Sequence, residues 1–391
     1  MTSVAFLVQR VGPYHHARFS AFAARRPGDL HVLEFRSNDT VYAWNPVEAS
    51  GSYARIGVRD PIELAQALER IRPAVVVCTG YADPEVQAGA TWAMRSGTPL
   101  VTCSDSTRED EPRSWAKEAF KRRVVGAFDA ALVAGRRSRD YLSGLGLDAA
   151  RCFQPWDVVD NVHFQNGVLA ARLQPLPGAG ARDLPSPYFL CVARFVGKKN
   201  LAALIRAYGA YRRDAGNAGW SLVLSGSGPL EGTLREQALA AGLADRVHFP
   251  GFVQYEGLPR LYGRAAAFVL PSLSDQWGLV VNEAMASGLP VVVSRRCGCA
   301  PELVVEGENG FGFDPEDETA LAAALTRMAT ATPEERTRMG NRSRAIIAAF
   351  TPDAFAQGLD GALRCAAERK GARKPLATRA AVAVLARRYT R

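Results

Sequence analysis

Residues 268–302 read FVLPSLSDQWGLVVNEAMASGLPVVVSRRCGCAPE. A short apolar run at 268–270 enters a polar loop at 272–276. Gly278 then opens a segment of helical spacing that carries Glu283, Ala284 and Met285, and a second apolar run follows at 291–293. Strand, loop, helix and strand in that succession make the repeating unit of a parallel α/β sheet. Both runs are apolar throughout rather than alternating, as strands covered on two faces are.

The same unit repeats outward from this stretch. Strand-like runs lie at 4–8, 30–35, 74–78, 100–103 and 130–133, and again at 188–192, 221–224, 247–249 and 267–270. Helix-length segments lie between them, among them 61–71, 84–95, 201–213 and 230–241. This alternation predicts open, doubly wound α/β sheets. It breaks once, at 171–187 (ARLQPLPGAGARDLPSP), where Pro and Gly are frequent and no period survives, so the segment reads as a linker. The expected organisation is a Rossmann-like domain over 1–170, the linker 171–187, a second such domain over 188–350, and C-terminal helices over 351–391. The first of those helices is expected to cross back to the N-terminal domain. Two such domains facing each other make a cleft at the carboxyl ends of their strands, where open α/β folds take ligands.

The chain of 391 residues is 48% hydrophobic and 22% charged, ordinary for a globular protein and unlike a disordered one. Its net charge is +9, and six basic residues without an acid fall in 371–391 (Arg373, Lys374, Arg379, Arg387, Arg388, Arg391), which leaves +3 for the other 370. A near-neutral body with a basic tail argues against a nucleic-acid binder, which carries its charge as a stripe through the fold. The opening MTSVAFLVQR has no basic residue ahead of its apolar run and reads as a first core strand rather than a signal peptide. No stretch has the length of a membrane span. Seven cysteines, several inside apolar runs (Cys78, Cys103, Cys191), suit buried thiols in a reducing cytosol. The Cys297-Gly-Cys299 spacing is too short a cluster for structural zinc.

Chemistry concentrates in three segments of the second half. A glycine at a helix start lets a ligand approach unpaired backbone N–H groups, and that end of the helix favours an anion. Asp275 and Glu283 flank this place. Carboxylates repel phosphate and suit hydroxyls, as of a ribose and a sugar; an N-capping Asp with a solvated helical Glu fits the spacing equally. After the run at 188–192, Arg194 and Lys199 share one strand-to-helix loop. A guanidinium fork and an ammonium can clamp a diphosphate and stabilise its charge as it leaves, although such a turn is also compatible with plain solvation. Gly226 and Gly228 form a glycine turn after the run at 221–224.

Together these residues resemble the retaining glycosyltransferases of family four, which have the GT-B fold; the resemblance is strong over 188–312 and diffuse over 1–170. The family's E-x7-E signature appears as Asp275-x7-Glu283, its diphosphate-holding Arg and Lys as Arg194 and Lys199, and its glycine turn as Gly226 and Gly228. Pro301-Glu302 and Asn309-Gly310 follow at the familiar distances. The resemblance implies that Glu283 holds the donor ribose, that Gly278 and Leu279 offer N–H groups to phosphate or sugar, and that Asp275 faces the transferred sugar. The first signature carboxylate is Asp, one methylene shorter than the family's Glu.

In the N-terminal half, Gly12-Pro13 stands where the family places a glycine loop near the donor phosphates, with His15 and His16 close by. Asp105 occupies the position at which the family usually carries a histidine. Arg113, Lys117, Lys121, Arg122 and Arg123 follow on a predicted helix, as a solvated face or a rim for a phosphorylated acceptor. The resemblance implies a cytoplasmic, metal-independent, retaining hexosyltransferase without a cofactor. Its donor would be a nucleotide diphosphate sugar and its acceptor a carbohydrate or lipid-linked hydroxyl in polysaccharide, lipopolysaccharide or glycolipid synthesis. The N-terminal domain would take the acceptor and the C-terminal domain the nucleotide sugar. The basic tail, with Val382, Leu385 and Tyr389 near one helical face, is a candidate for peripheral contact with anionic lipid, or else packs as a terminus. A sugar-nucleotide epimerase of the same fold and a non-catalytic nucleotide-sugar-binding subunit stay open as alternatives.

Overall fold

The computed structural model describes residues 3–35, 44–47, 51–173 and 184–390. The chain divides into two compact units, Met1–Val159 with Thr351–Arg391, and Asp160–Phe350.

The first unit is built on the strands β1 (Val4–Val8), β2 (Leu30–Glu34), β3 (Ala54–Gly57), β4 (Val75–Thr79), β5 (Leu100–Ser104), β6 (Ala130–Val133) and β7 (Cys152–Phe153). They lie in the order β3-β2-β1-β4-β5-β6-β7 and pair in parallel. The helices α1 (Pro13–Arg25), α2 (Pro61–Ile71), α3 (Pro84–Ser96), α4 (Trp115–Val125) and α5 (Arg136–Gly144) connect them. Strand alternation sends Ala5, Leu7, Val76 and Cys78 into a core shared with Leu64, Leu68 and Ala90 of α2 and α3. Phe6 points the other way, 4.7 Å from Phe19 of α1 by ring centroids. Local chemistry sets the helix starts. Asp60, for example, takes the amides of Ile62 and Glu63 just ahead of Pro61.

The second unit opens with α6 (Asn161–Leu173) and continues with β8 (Tyr188–Val192), α7 (Leu201–Ala215), β9 (Ser221–Ser225), α8 (Glu231–Ala240), β10 (Val247–Gly251), α9 (Leu258–Arg264), β11 (Ala267–Leu270), α10 (Leu279–Ala286), β12 (Val291–Ser294), α11 (Ala300–Leu303), β13 (Gly310–Phe313), α12 (Glu318–Thr330) and α13 (Pro333–Ile347). Its sheet is parallel in the order β10-β9-β8-β11-β12-β13. Two helices then return to the first unit. In α14 (Pro352–Ala367), Phe355 lies 5.8 Å from Trp156 and Asp360 takes a 2.7 Å ion pair from Arg26. In α15 (Leu376–Ala386), Ala381 and Val382 are buried in the first unit's core.

Two expectations change here. The boundary between units falls at Val159 and Asp160 rather than at 171–187, because α6 packs on α9 and α10 of the second sheet. Residues 174–183 of the expected linker lie outside the described residues. The tail's apolar face also turns inward: Val382 is fully buried and Leu385 packs beside it against the core, so that face is not available to lipid. The Tyr389 side chain lies outside the described residues.

Candidate functional site

In each sheet the strand order reverses beside the first strand of the unit, and a crevice at such a switch point is where open α/β sheets take ligands. In the second unit the switch lies between β8 and β11. The loops leaving these two strands are 193–200, with Arg194 and Lys199, and 271–278, with Asp275. The topology therefore brings together carriers that are 76 residues apart in sequence.

They meet directly. Lys199 Nζ donates to Asp275 Oδ2 in an ion pair whose side chains are only 13% and 12% exposed. Burial works against the ammonium, but the Asp275 charge and its hydrogen bond outweigh it and hold the Lys199 pKa above the ordinary lysine value. The buried Ser272 hydroxyl donates to the same carboxylate oxygen at 3.2 Å. The loop carrying Lys199 is a 3-10 turn, Gly197–Lys199, closed by Asn200 in the left-handed region (φ 56°), which asparagine tolerates. The Leu273 amide bonds the Lys198 carbonyl at 2.8 Å, so the two loops are tied by backbone as well.

The Cys297-Gly-Cys299 segment supports this loop from behind. Gly298 N donates to the Asp275 carbonyl at 2.8 Å and Cys299 N to the Trp277 carbonyl at 3.1 Å. A Cβ on Gly298 would stand 1.7 Å from the Gln276 carbonyl oxygen, so only glycine permits the approach. The seven cysteines are free, and among the described residues no group of three or more His, Cys, Asp or Glu is placed to hold a metal ion.

Gly278 precedes α10 with φ 99°, a conformation that favours glycine, and the first amides of that helix have no partner within it. The N-cap is Gly278, not Asp275. Glu283, one turn and a half into α10, is fully buried rather than solvated, so the capping-and-solvation reading of this pair does not hold. Tyr262 OH donates to Glu283 Oε2 at 2.6 Å. Burial first, and then the Glu283 charge, push the nearby Tyr255 phenol up, and the His163 ring stacks on Tyr255 at 4.3 Å. Trp277 Nε1 donates to Asn282 Oδ1 at 2.9 Å, fixing the loop against the helix that carries Glu283.

The third segment has a structural task. Gly226 and Gly228 have φ of 142° and 156°. A Cβ would stand 1.9 Å from the Ala193 oxygen at the first and 2.6 Å from the Phe195 oxygen at the second. Ala193 N and Phe195 N donate to Ser225 O and Ser227 O at 3.0 and 2.8 Å, so the glycine turn holds the backbone on both sides of the exposed Arg194. Asn309 is likewise internal: it takes the Val305 amide and donates to the Leu303 carbonyl, both at 2.8 Å.

In the first unit the switch lies between β1 and β4. Gly12 caps α1 there with an ordinary φ of −100°, and a Cβ on it would meet nothing within 4 Å, so the fold itself does not require glycine. His15 and His16 lie in α1. Burial, and then the Arg18 charge, lower the His15 pKa to about 3, which keeps it neutral, and its Nδ1 faces the Gly12 amide at 3.5 Å. His16 pairs with Tyr53 OH at 3.1 Å. Arg18 is 2% exposed, lies 4.4 Å over the Trp156 ring, and donates to Asp157 and the Val158 carbonyl, both at 3.3 Å. Asp105 follows β5 within the field of this buried guanidinium. The amides of its loop are taken by others: Ser106 N bonds Ser104 Oγ at 3.3 Å, and Thr107 N bonds Asp110 at 2.7 Å.

Arg113 does not form a rim for an acceptor. It precedes α4 and is spent on the Thr107 and Arg108 carbonyls, Glu118 and Tyr141 OH, while Lys121 also bonds Tyr141 OH, at 3.3 Å. Sequence reasoning missed Tyr262, Ser272, Arg18 and the support from 297–299. Of these only Ser272, three residues before Asp275, carried a local signal.

The chain matches the family model described as "Glycosyl transferases group 1" over residues 177–346. Its two parallel α/β sheets have the GT-B architecture of glycosyltransferase structures. Alr3699/HepE of Anabaena, crystallised in complex with UDP, superposes with a TM-score of 0.74 at 18% identity, covering 93% of this chain and 100% of that one. Sucrose-phosphate synthase from Thermosynechococcus elongatus superposes at 0.71 with 22% identity, covering 93% and 98%. In sequence, the chain is 32% identical over 195 residues to a GDP-mannose-dependent α-(1-6)-phosphatidylinositol monomannoside mannosyltransferase of Mycolicibacterium smegmatis, covering 46% of this chain and 50% of the relative. It is 31% identical over 232 residues to glycogen synthase of Mycobacterium tuberculosis, covering 58% and 53%. The chain thus spans about half the length of the curated relatives it matches.

Proposed function

We propose that this chain is a retaining hexosyltransferase that takes its sugar from a nucleotide diphosphate donor. The observation that carries the reading is the buried Lys199–Asp275 ion pair across the second unit's switch point, within the segment that matches the family. An ammonium held charged beside a carboxylate is preorganised for a ligand of larger negative charge. As the bond from the sugar C1 to the diphosphate oxygen breaks, charge grows on the leaving phosphate, and Lys199 and Arg194 stabilise it more than the intact donor. The acceptor hydroxyl attacks C1 from the same face and its proton passes to the departing phosphate oxygen, so no protein nucleophile is required. Asp275 orients Lys199 and accepts a hydroxyl of the sugar. The amides after Gly278 take a donor phosphate or sugar oxygen, and Glu283 takes the ribose.

We assign the acceptor, a carbohydrate or lipid-linked hydroxyl, to the first unit, with Asp105 orienting a hydroxyl. Activity needs no metal on this reading, because the two cations perform the neutralisation a divalent ion provides elsewhere. Sugar nucleotides place the reaction on the cytoplasmic side. Of the proteins named above, the mannosyltransferase is GDP-mannose-dependent and Alr3699/HepE was crystallised with UDP, so the base is the first quantity to measure. A thermal-shift screen against UDP-, GDP- and ADP-sugars should single out one base; at a hundred times its dissociation constant a ligand adds about 2.7 kcal/mol. The stabilising donor should then give a product of retained anomeric configuration by NMR. If none of these donors stabilises the folded chain, the proposal is wrong. An isomerised donor in the absence of acceptor would point to an epimerase instead.

A further inference from the structure

Three of the basic residues after α14, Arg369, Arg373 and Lys374, converge on a cavity. A pocket of about 200 Å3 opens at the amino-terminal end of β6, the edge of the first sheet opposite the loops of Gly12 and Asp105. Its lining includes Arg151, Arg369, Arg373 and Lys374 and no acid, over an apolar floor of Val125, Phe128 and Leu147. The nearest counter-charge is Asp129, buried behind the lining, where its carboxylate takes the Leu100 amide at 3.0 Å and Lys374 Nζ at 2.5 Å. That pair neutralises Lys374.

The three guanidinium groups are left with little. Arg369 approaches Asp129 only to 3.6 Å. Arg151 donates to the Asp129 backbone carbonyl at 3.1 Å, which carries no net charge. Arg373 has no hydrogen-bond or ion-pair partner among the described residues. Three like charges gathered at one concave place repel one another unless an anion joins them, and an apolar floor strengthens that attraction. Guanidinium forks match phosphate oxygens in pairs. The volume is below the roughly 300 Å3 at which pockets for drug-sized ligands begin, so a nucleotide sugar does not fit but a phosphate or diphosphate group does.

We propose that this pocket is a second anion site, for a phosphomonoester or diphosphate group, separate from any donor site and independent of the transferase reading. The group has two sources, a free phosphorylated metabolite or a lipid phosphomonoester headgroup. Calorimetry of the full chain with pyrophosphate, at fixed ionic strength, is compared with Arg369→Gln/Arg373→Gln, two exposed positions whose exchange leaves the fold intact, and with Arg194→Gln at the donor site. The double variant should lose affinity about tenfold or more, as two charge-assisted hydrogen bonds are removed, while Arg194→Gln keeps this site. Flotation with vesicles of phosphatidylcholine containing phosphatidic acid reads the other source. Flotation that the double variant loses, together with weak pyrophosphate binding, assigns the headgroup; tight pyrophosphate binding without flotation assigns a free anion. Identical isotherms and identical flotation for wild type and double variant overturn the site.

Discussion

Lys199→Met separates the structural from the chemical task of the ion pair. The substitution keeps most of the side-chain volume and removes the charge, leaving the Asp275 carboxylate, 12% exposed, with Ser272 as its remaining side-chain donor. Removing one partner from a fully buried pair costs about 3–5 kcal/mol. The residual exposure and the surviving serine bond place this case near the lower end, at about 3 kcal/mol. Asp275→Leu strands the ammonium and should cost about as much, whereas Lys199→Met/Asp275→Leu leaves neither charge buried. The double variant should therefore be more stable than the sum of the singles by about 2 kcal/mol or more. Lys199 is held above the ordinary lysine value of 10.5, so this coupling is full below that pH and fades as pH rises through the folded-state pKa. Urea unfolding at pH 7.5 and at pH 11 measures both statements. Turnover behaves differently, because the growing diphosphate charge has lost its ammonium in the double variant too. Stability should return while turnover stays at least a hundredfold down, the equivalent of about 2.7 kcal/mol in the barrier. Additive stabilities would refute the coupling, and normal turnover in the double variant would refute the clamp.

Four further outcomes are expected. Tyr262→Phe keeps the ring and removes the 2.6 Å donor to Glu283, so stability should fall by about 1.5–3 kcal/mol and donor affinity should weaken with kcat little changed; calorimetry that matches wild type would remove Tyr262 as a positioning residue. Gly228→Ala should unfold easily or fail to accumulate, given a Cβ 2.6 Å from backbone oxygen, while Gly12→Ala should melt like wild type, and any rise in its donor KM reports ligand approach at that glycine. Asp105→Asn should lower turnover tenfold or more at an unchanged melting temperature if the carboxylate orients a hydroxyl; the reverse pattern marks a structural residue. His15 resists protonation in the fold to a pKa of about 3, whereas the unfolded chain takes a proton near 6.5, so relative to His15→Gln the wild type should lose up to about 1.4 kcal/mol per pH unit below 6.5, and parallel stability curves would contradict that burial.

The sheets were legible wherever a strand is buried on both faces. Tyr188–Val192 and Ala267–Leu270 announce themselves because their apolar runs need no partner to be recognised. The strands that went unseen lack that signal for particular reasons. Ala54–Gly57 is an edge strand with half-exposed or exposed side chains, Cys152–Phe153 is two residues long, and Gly310–Phe313 alternates glycine because a Cβ at Gly310 would lie 1.8 Å from the Val291 oxygen. The helix α6 was assigned to the wrong side of the boundary for a different reason. Its sequence states that it has an apolar face but not which sheet covers it.

The site divides along the same line. Arg194, Lys199, Asp275 and Glu283 could be named because a strand-end loop and a helix start are local features. What those groups do to one another is not local. Lys199 and Asp275 meet only because β8 and β11 are neighbours in the sheet, and Tyr262 reaches Glu283 from another helix, 21 residues away. The cysteine-glycine-cysteine segment shows the consequence. Read along the chain it offered two thiols at a spacing too short for structural zinc, and no other role. In the fold its amides and its missing Cβ matter, because Gly298 and Cys299 hold the carbonyls of Asp275 and Trp277 while both sulfurs stay buried. Backbone hydrogen bonds to a functional loop leave a glycine as their only mark in sequence, and a glycine marks many things. A cluster of glycines one strand away from a candidate site residue is therefore better tested first as its support than as a second ligand site, and Gly226 and Gly228 beside Arg194, and Gly298 beside Asp275, all answer to that test here.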